Sequence, residues 1–532
     1  MEISRRDAFG LALAGTAALA TEPAAAVPPG SGALPAAAWR RGFDNQRVPD
    51  LGDGRFLNPL LSGDHPDPAI LKDGADYYMT FSSFDSYPGL TLWHSRDLVN
   101  WQPRKAALTK NIGSVWAVSL AKHDGRYFLY IPVKATPNTI FVIHADHIDG
   151  PWSDPIDLHL PAHIDPCHAV AEDGSRWLFL SGGNRIRLAP DGLSTLGAVE
   201  HVYDPWRYPA EWDVESFSPE GPKIAHHGDY WYLITAVGGT AGPPTGHMVI
   251  AARSRSLHGP WEHCPHNPIV RTTSTDERWW SRGHASLIEA PDGRWWSIYH
   301  GYENGFWTLG RQALLDPVAW TADGWFRMTG GDLSRPLAKP RGGAAVPHGQ
   351  PLSDAFTRLD LGSRWNFFRP GPHETDRLRV EQGALVLRAS GTAPVDSPPL
   401  LLTAGDQAYA FECDVEIASG ATAGLVLFYD DRLYAGLGFD ERRFVTHQYG
   451  MERGRPSNPH GRRMRIRITN TRHIVAIHTS HDAGRSWQRF DRGMEVSGYH
   501  HNVRGGFLML RPGLYAAGTG EARFRDFRFR AL

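Results

Sequence analysis

The chain has 532 residues, too many for one ordinary hydrophobic core, so it should divide into two or more domains. Its formal net charge of −2 gives no electrostatic reason to expect nucleic acid or an anionic membrane as a partner, and three cysteines (Cys167, Cys264, Cys413) are too few for a disulfide framework. Aromatic residues make up 11% of the chain, with 19 tryptophans, 56 glycines and 40 prolines, a profile that is all-β, rich in turns and suited to stacking on carbohydrate.

At the N-terminus, Arg5 and Arg6 precede the apolar run FGLALAGTAALA, which small residues at Ala24–Ala26 follow. The run is about 12 residues long, too short to span a bilayer. With SRRDAF ahead of it, the segment reads as a twin-arginine-type export signal over residues 1–26. An exported protein, periplasmic or extracellular, is expected, with residues 27–50 as a linker. No other hydrophobic stretch approaches spanning length.

From about residue 51 a pattern recurs in which a glycine turn leads into an aromatic and aliphatic run. It reads KDGADYYMTF, HDGRYFLYI, EDGSRWLFL, HHGDYWYLI and PDGRWWSIY. The glycines (Gly74, Gly125, Gly174, Gly228, Gly293) are spaced by 51, 49, 54 and 65 residues, the period of a propeller blade. A second element (LWHSRDLVNW, VIHADHIDGPW, IAARSRSLHGPW, LGRQALLDPVAW) runs from a strand through a turn to a terminal tryptophan, as outer blade strands would. Five four-stranded blades are therefore expected over residues 51–335.

Proline, glycine and alanine at 336–350 mark a second linker. Beyond it, LRVEQGALVLRA, YAFECDVEI, AGLVLFYDD, RMRIRITN and HIVAIHTSHDAGRSWQRF are β-runs whose spacing predicts a β-sandwich over 351–532. That half has no convergent acidic cluster.

Asp67, Asp165, Glu220 and His284 lie 7, 9, 8 and 9 residues ahead of their glycines, at matching points on the innermost strands of four blades. Residues so placed converge on the propeller axis. Paired carboxylates are what glycoside hydrolysis needs, one protonated to assist the departing oxygen and one ionised to activate water or attack the sugar. A third carboxylate can raise the pKa of the acid by repulsion and orient it. Acids on separate blades leave room for a water, which favours inversion, for which carboxyls about 6.5–9.5 Å apart are expected. His284 could hold a hydrated cation on the axis. Arg311 could bond a sugar hydroxyl or pair with an acid, while Trp116 and Phe84 are candidates for an apolar wall around the substrate.

These motifs resemble glycoside hydrolase family 43. NPLLSGDHPDPAIL, HIDPCHAVAEDGSRWLFL and SPEGPKIAHHGDYWYL are similar to the segments that carry the family's base, pKa modulator and acid. GHASLIEAPDGRWWSIYHG and LGRQALLDPVAW resemble its fifth-blade histidine and arginine segments. The resemblance implies Asp67 as general base, Asp165 as modulator, Glu220 as general acid, His284 as a calcium-site or water-site histidine and Arg311 as a substrate contact. DAFTRLDLGSRWNFF and SHDAGRSWQRF resemble the concanavalin-like sandwich appended to β-xylosidases of the family, where it can contribute to the pocket wall. One departure is SVWAVSL, where the family more often has proline after Trp-Ala. The resemblance implies an inverting exo-glycosidase acting on xylo- or arabino-oligosaccharides, first a β-xylosidase and next an α-L-arabinofuranosidase. It requires no cofactor, and a structural calcium goes with His284. An endo-arabinanase and a non-catalytic carbohydrate-binding propeller are the alternatives.

Overall fold

The computed structural model describes residues 38–490 and 493–532; the segment expected to be an export signal, and the first part of the expected N-terminal linker, lie outside them. Five antiparallel sheets follow one another along the chain, with first strands at Ala69–Asp73, Ser119–His123, Cys167–Val170, Glu220–His227 and Trp279–Glu289. Each is a blade whose strands pair in sequence order. Blades II and IV carry a fifth short strand, Ser114–Val115 and Val270–Arg271, where four were expected. LGRQALLDPVAW also differs from expectation, because Arg311–Trp320 is one unbroken strand in register with Trp295–Glu303 and makes no turn before its tryptophan.

The glycine turns work as the sequence implies. Gly74, Gly125, Gly174, Gly228 and Gly293 all have positive φ, which glycine adopts without a Cβ clash. The apolar runs after them alternate between the two faces of their sheets. In blade II, Leu129 and Ile131 join Leu90 and Leu92 of blade I, while Phe128 and Tyr130 join Leu178 and Ile186 of blade III. Blades III and IV meet through Phe179 and Leu233, and blades IV and V through Tyr232, Ile234 and Tyr299. A fifth seam, built on Met79, Trp101, Trp296 and Ile298, joins blade V back to blade I and closes the ring. Blade faces buried on both sides explain why these strands read as continuous hydrophobic runs.

Two eight-stranded sheets form the C-terminal sandwich around a core that includes Trp365, Phe411, Leu427, Ile466 and Phe527. One of them takes a strand from the propeller, since Ser86–Tyr87 pairs with Asn366–Phe368. The only α-helix among the described residues is His501–Arg504. Cys167, Cys264 and Cys413 are buried free thiols.

Residues 38–50, assigned from the sequence to a linker, form a strap between the two halves. Arg40–Arg41 pairs with Arg47–Val48, and Asp44 accepts hydrogen bonds from the Leu352 and Ser353 N–H groups at the start of the sandwich. Arg47, buried, donates to both oxygens of Glu303 in blade V and to Gln312. It also donates to the carbonyl of Gly405 in the sandwich. Glu303, 0% exposed, additionally accepts from Arg278 and from Gln407 of the sandwich. Residues of the second linker are likewise tied down, with Lys339 paired to Asp50 and Asp97.

Removing one partner from a buried ion pair leaves the other charge uncompensated, so Arg47→Ala should cost about 3–5 kcal/mol. Denaturant unfolding measures this directly; a loss below about 1 kcal/mol would mean that Arg278, Gln312 and Gln407 satisfy Glu303 by themselves.

Candidate active site

At the centre of the ring is a cavity of about 210 Å³ whose lining includes Asp67, Phe84, Trp116, Asp165, Glu215, Glu220, His284, Arg311 and Phe507. All seven residues expected from sequence are brought together here. Their positions on the blades are staggered: Asp67 and Asp165 each sit two residues before the first strand, Glu220 begins its strand, and His284 lies within an eleven-residue strand whose register is bulged on both sides of Gly283. Asp67, Asp165 and His284 share one backbone conformation, with φ of 56°, 55° and 56°. That left-handed conformation costs a non-glycine residue on the order of 1–3 kcal/mol and redirects the side chain relative to the strand that follows. Asp67 adopts it although Pro68 follows, and a following proline biases a residue towards extended backbone.

Asp67 is 3% exposed and heavily bonded. Oδ1 lies 2.8 Å from Arg311 Nη1 and 3.5 Å from His284 Nδ1, and Ser82 Oγ donates to Oδ2. Burial pushes its pKa up, but the Arg311 charge, then His284, outweigh burial and hold the carboxyl well below the usual range. The site therefore favours the ionised form of Asp67. The His300 ring adds no proton to that carboxylate. Its Nδ1 accepts the Asp67 backbone N–H at 3.0 Å and so cannot donate to Oδ1, and burial and Arg311 push its pKa down to about 3.

His284 lies between the acids, with Nε2 3.5 Å from Glu220 Oε1. Burial opposes its protonation, yet Asp67, Glu220 and Asp165 together raise its pKa. One imidazole and two contact distances separate Asp67 from Glu220, which caps their oxygens at roughly 9 Å apart, the scale on which a water fits between acid and base. Asp165, 2% exposed, accepts the Gly221 N–H at 2.9 Å, so it is coupled to the residue after Glu220. Burial raises the Asp165 pKa to about 7, against His284 and with help from the Glu220 and Asp67 charges.

Three members of this site carry no signal in the sequence. His247 stacks within 3° of His300 at 5.4 Å and lies 5.5 Å from His284, and neither of its buried ring nitrogens has a protein partner. His247 and His300 are isolated histidines with no diagnostic spacing. The third, Phe507, comes from the sandwich. It stacks on Phe84 at 6.0 Å, meets Trp116 edge-on at 5.7 Å, and has the Arg311 guanidinium 5.2 Å from its ring centroid. His501 backs the ring at 3.8 Å and accepts the Phe507 N–H at 3.0 Å. No pattern in either half of the sequence announces a residue donated across domains.

Glu220, His247 and His284 form the one potential metal group among the described residues, with ligand atoms within 4.8 Å of one another. Two imidazoles and a carboxylate do not fit calcium, which takes six to eight oxygens. A second cavity, of about 150 Å³, lies among the strap, blade I and the sandwich, lined by Arg47, Trp93, Asp406 and Arg511 among others. None of the three central acids reaches it.

Comparison with known proteins agrees with this architecture. A relative from Bacteroides ovatus, a non-reducing end alpha-L-arabinofuranosidase named BoGH43B, is 29% identical over 91% of this chain and 96% of its own. A xylan 1,3-beta-xylosidase from a Vibrio species is 32% identical over 51% of this chain and 57% of its own. The crystal structure of the GH43 BlXynB protein from Bacillus licheniformis superposes with a TM-score of 0.80 at 26% identity, covering 90% of this chain and all of that one. The sequence model described as glycosyl hydrolases family 43 matches residues 56–326, slightly more than half of the chain and the whole of the acid-bearing ring. The chain belongs to glycosyl hydrolases family 43, and its propeller is a glycoside hydrolase domain.

Proposed function

We propose that the protein is an inverting, exo-acting glycosidase that releases a terminal pentose from xylan- or arabinan-derived oligosaccharides. The observation that carries this reading is the separation of charge states across one pocket. Asp67 is fixed as an anion by Arg311, while Asp165 beside Glu220 retains a proton towards neutrality. In this reading Asp67 takes a proton from water as the water oxygen attacks the anomeric carbon. The bond to the leaving oxygen breaks as Glu220 gives that oxygen a proton, and Asp165, through the Gly221 N–H, keeps Glu220 aimed. Arg311 orients Asp67, and Phe84, Trp116 and Phe507 wall the sugar. A wall inserted from a second domain narrows the pocket, which supports exo action.

β-Xylosides are the first substrate class. α-L-Arabinofuranosides are the second reading, favoured by the relative from Bacteroides ovatus that matches over nearly its full length. No step is routed through a metal, since a protonated His284 already supplies positive charge between Asp67 and Glu220. Export is part of the proposal and rests on Arg5, Arg6 and the short apolar run alone.

Asp67→Asn and Glu220→Gln preserve size, so each should fold and lose about 10²–10⁴-fold in kcat on nitrophenyl pentosides. Near-wild-type turnover by either variant would remove that residue from its role. Activity requires ionised Asp67 and a proton on the Asp165–Glu220 pair. The pH profile of kcat/KM should therefore fall with rising pH near 7 and keep its acid side down to pH values below the ordinary carboxylate range. Asp165→Asn removes a repelling charge from that pair and should move the alkaline limb to lower pH; an unmoved limb would contradict the coupling. Gly221 has a φ of 61°, and a Cβ there would sit 2.8 Å from His284 Nδ1. Gly221→Ala should displace His284 and lower kcat by about 10²-fold while circular dichroism stays native.

A further inference from the structure

Four carboxylates line the pocket, and the reaction proposed above uses three. The fourth, Glu215, is exposed and stands near the end of the 202–219 segment, which has no strand or helix. Connections of that length without regular structure are uncommon and usually functional. The end of this one is built against the loop that follows the second strand of blade IV. The Glu215 N–H donates to the Gly238 carbonyl at 3.2 Å, and the Gly238 N–H donates to the Phe217 carbonyl at 2.9 Å. The Ala241 N–H donates to Glu215 Oε2 at 2.9 Å, which fixes the carboxylate and leaves Oε1 without a hydrogen-bond partner among the described residues. Asn502 of the sandwich accepts the Gly242 N–H at 3.1 Å and pins that loop from the other side.

Glu220 protonates the departing oxygen, so the pocket wall contributed by the segments flanking it faces the leaving group. Glu215, Gly239 and Thr240 make up that wall. Farther along the 202–219 segment, Trp206, Tyr208, Trp212 and Phe217 pack on Val237, Met248 and Ile250, each only partly buried. The Tyr208 and Trp212 rings are parallel within 4°, with centroids 6.5 Å apart. A fixed acceptor with one unfilled oxygen, in a pocket otherwise walled by Phe84, Trp116 and Phe507, matches a sugar, which offers apolar C–H faces and hydroxyl donors together.

We propose that this segment forms the leaving-group subsite and that Glu215 Oε1 accepts a hydrogen bond from a hydroxyl of the sugar beyond the scissile bond. The inference rests on the pentosidase reading and narrows it: the substrate is a pentose joined to another sugar rather than to an apolar aglycone. The test compares kcat/KM of the wild type, Glu215→Gln and Glu215→Ala on a nitrophenyl pentoside and on the corresponding disaccharide. A hydrogen bond to a charged acceptor predicts that Glu215→Ala loses about 10- to 100-fold on the disaccharide. That loss should exceed the loss on the nitrophenyl substrate at least tenfold, with Glu215→Gln, which keeps a neutral acceptor, in between. Equal losses on both substrates would make Glu215 a structural support of the loop and overturn the proposal, as would an undiminished disaccharide rate. A wild type inactive on every pentoside would instead sink the underlying reading, and this inference with it.

Discussion

The ion pair between Asp67 and Arg311 governs how the pocket is charged. Both side chains are almost fully stripped of water, and a carboxylate so placed without a counter-charge would take up a proton and cease to be a base. Arg311 prevents this, and it needs fixing in turn. It opens the third strand of blade V, and its backbone N–H donates to Asp64 Oδ1 at 2.9 Å, three residues before Asp67. The first and last blades thus meet at the base, and closure of the ring and ionisation of Asp67 are one structural event. A propeller left open at that seam would separate the two charges.

The same logic of paired buried charge holds the sandwich in place. Glu303 lies next to the strand that bears Arg311, and its partners come from the strap, blade V and the sandwich. Because the sandwich is fixed at this hub and by the strand Asn366–Phe368 against Ser86–Tyr87, the 501–508 segment can present Phe507 to the pocket at a defined position. The aromatic wall is thus a consequence of charge pairing well away from it.

Much of this was legible in the sequence. Blade period, glycine turns and strand alternation are local properties, and they located Asp67, Asp165, Glu220 and His284 on one axis. Arg311 was visible only as one of two alternatives, sugar contact or acid partner, and the structure shows the acid partnership. What could not be read was anything set by contact between distant segments. His247 and His300 look like any buried histidine until stacking beside His284 is seen. Residues 38–50 continue a stretch rich in proline, glycine and alanine that reads as a linker, and only the buried Glu303 explains why Arg47 is interior. Phe507 has the least local signature of all, since its value to the pocket comes from Phe84 and Trp116 several hundred residues earlier.

Three stacked histidines in one site invite the view that they act alike, and their surroundings argue otherwise. His247 and His300 are buried next to Arg311 and each other, and positive neighbours add to burial in keeping them neutral. His284 experiences the same burial, but its two nitrogens face Asp67 and Glu220, and these acids together with Asp165 reverse the sign of its shift. The stack therefore holds its charge at one point, between base and acid. There a positive charge favours the ionised form of Asp67 and opposes the rise in the Asp165 pKa that burial produces. A second charged imidazole in the stack would lower the pKa of Asp165 further and strip the acid pair of the proton that hydrolysis needs. Keeping His247 and His300 neutral is thus as necessary to this site as keeping Asp67 charged.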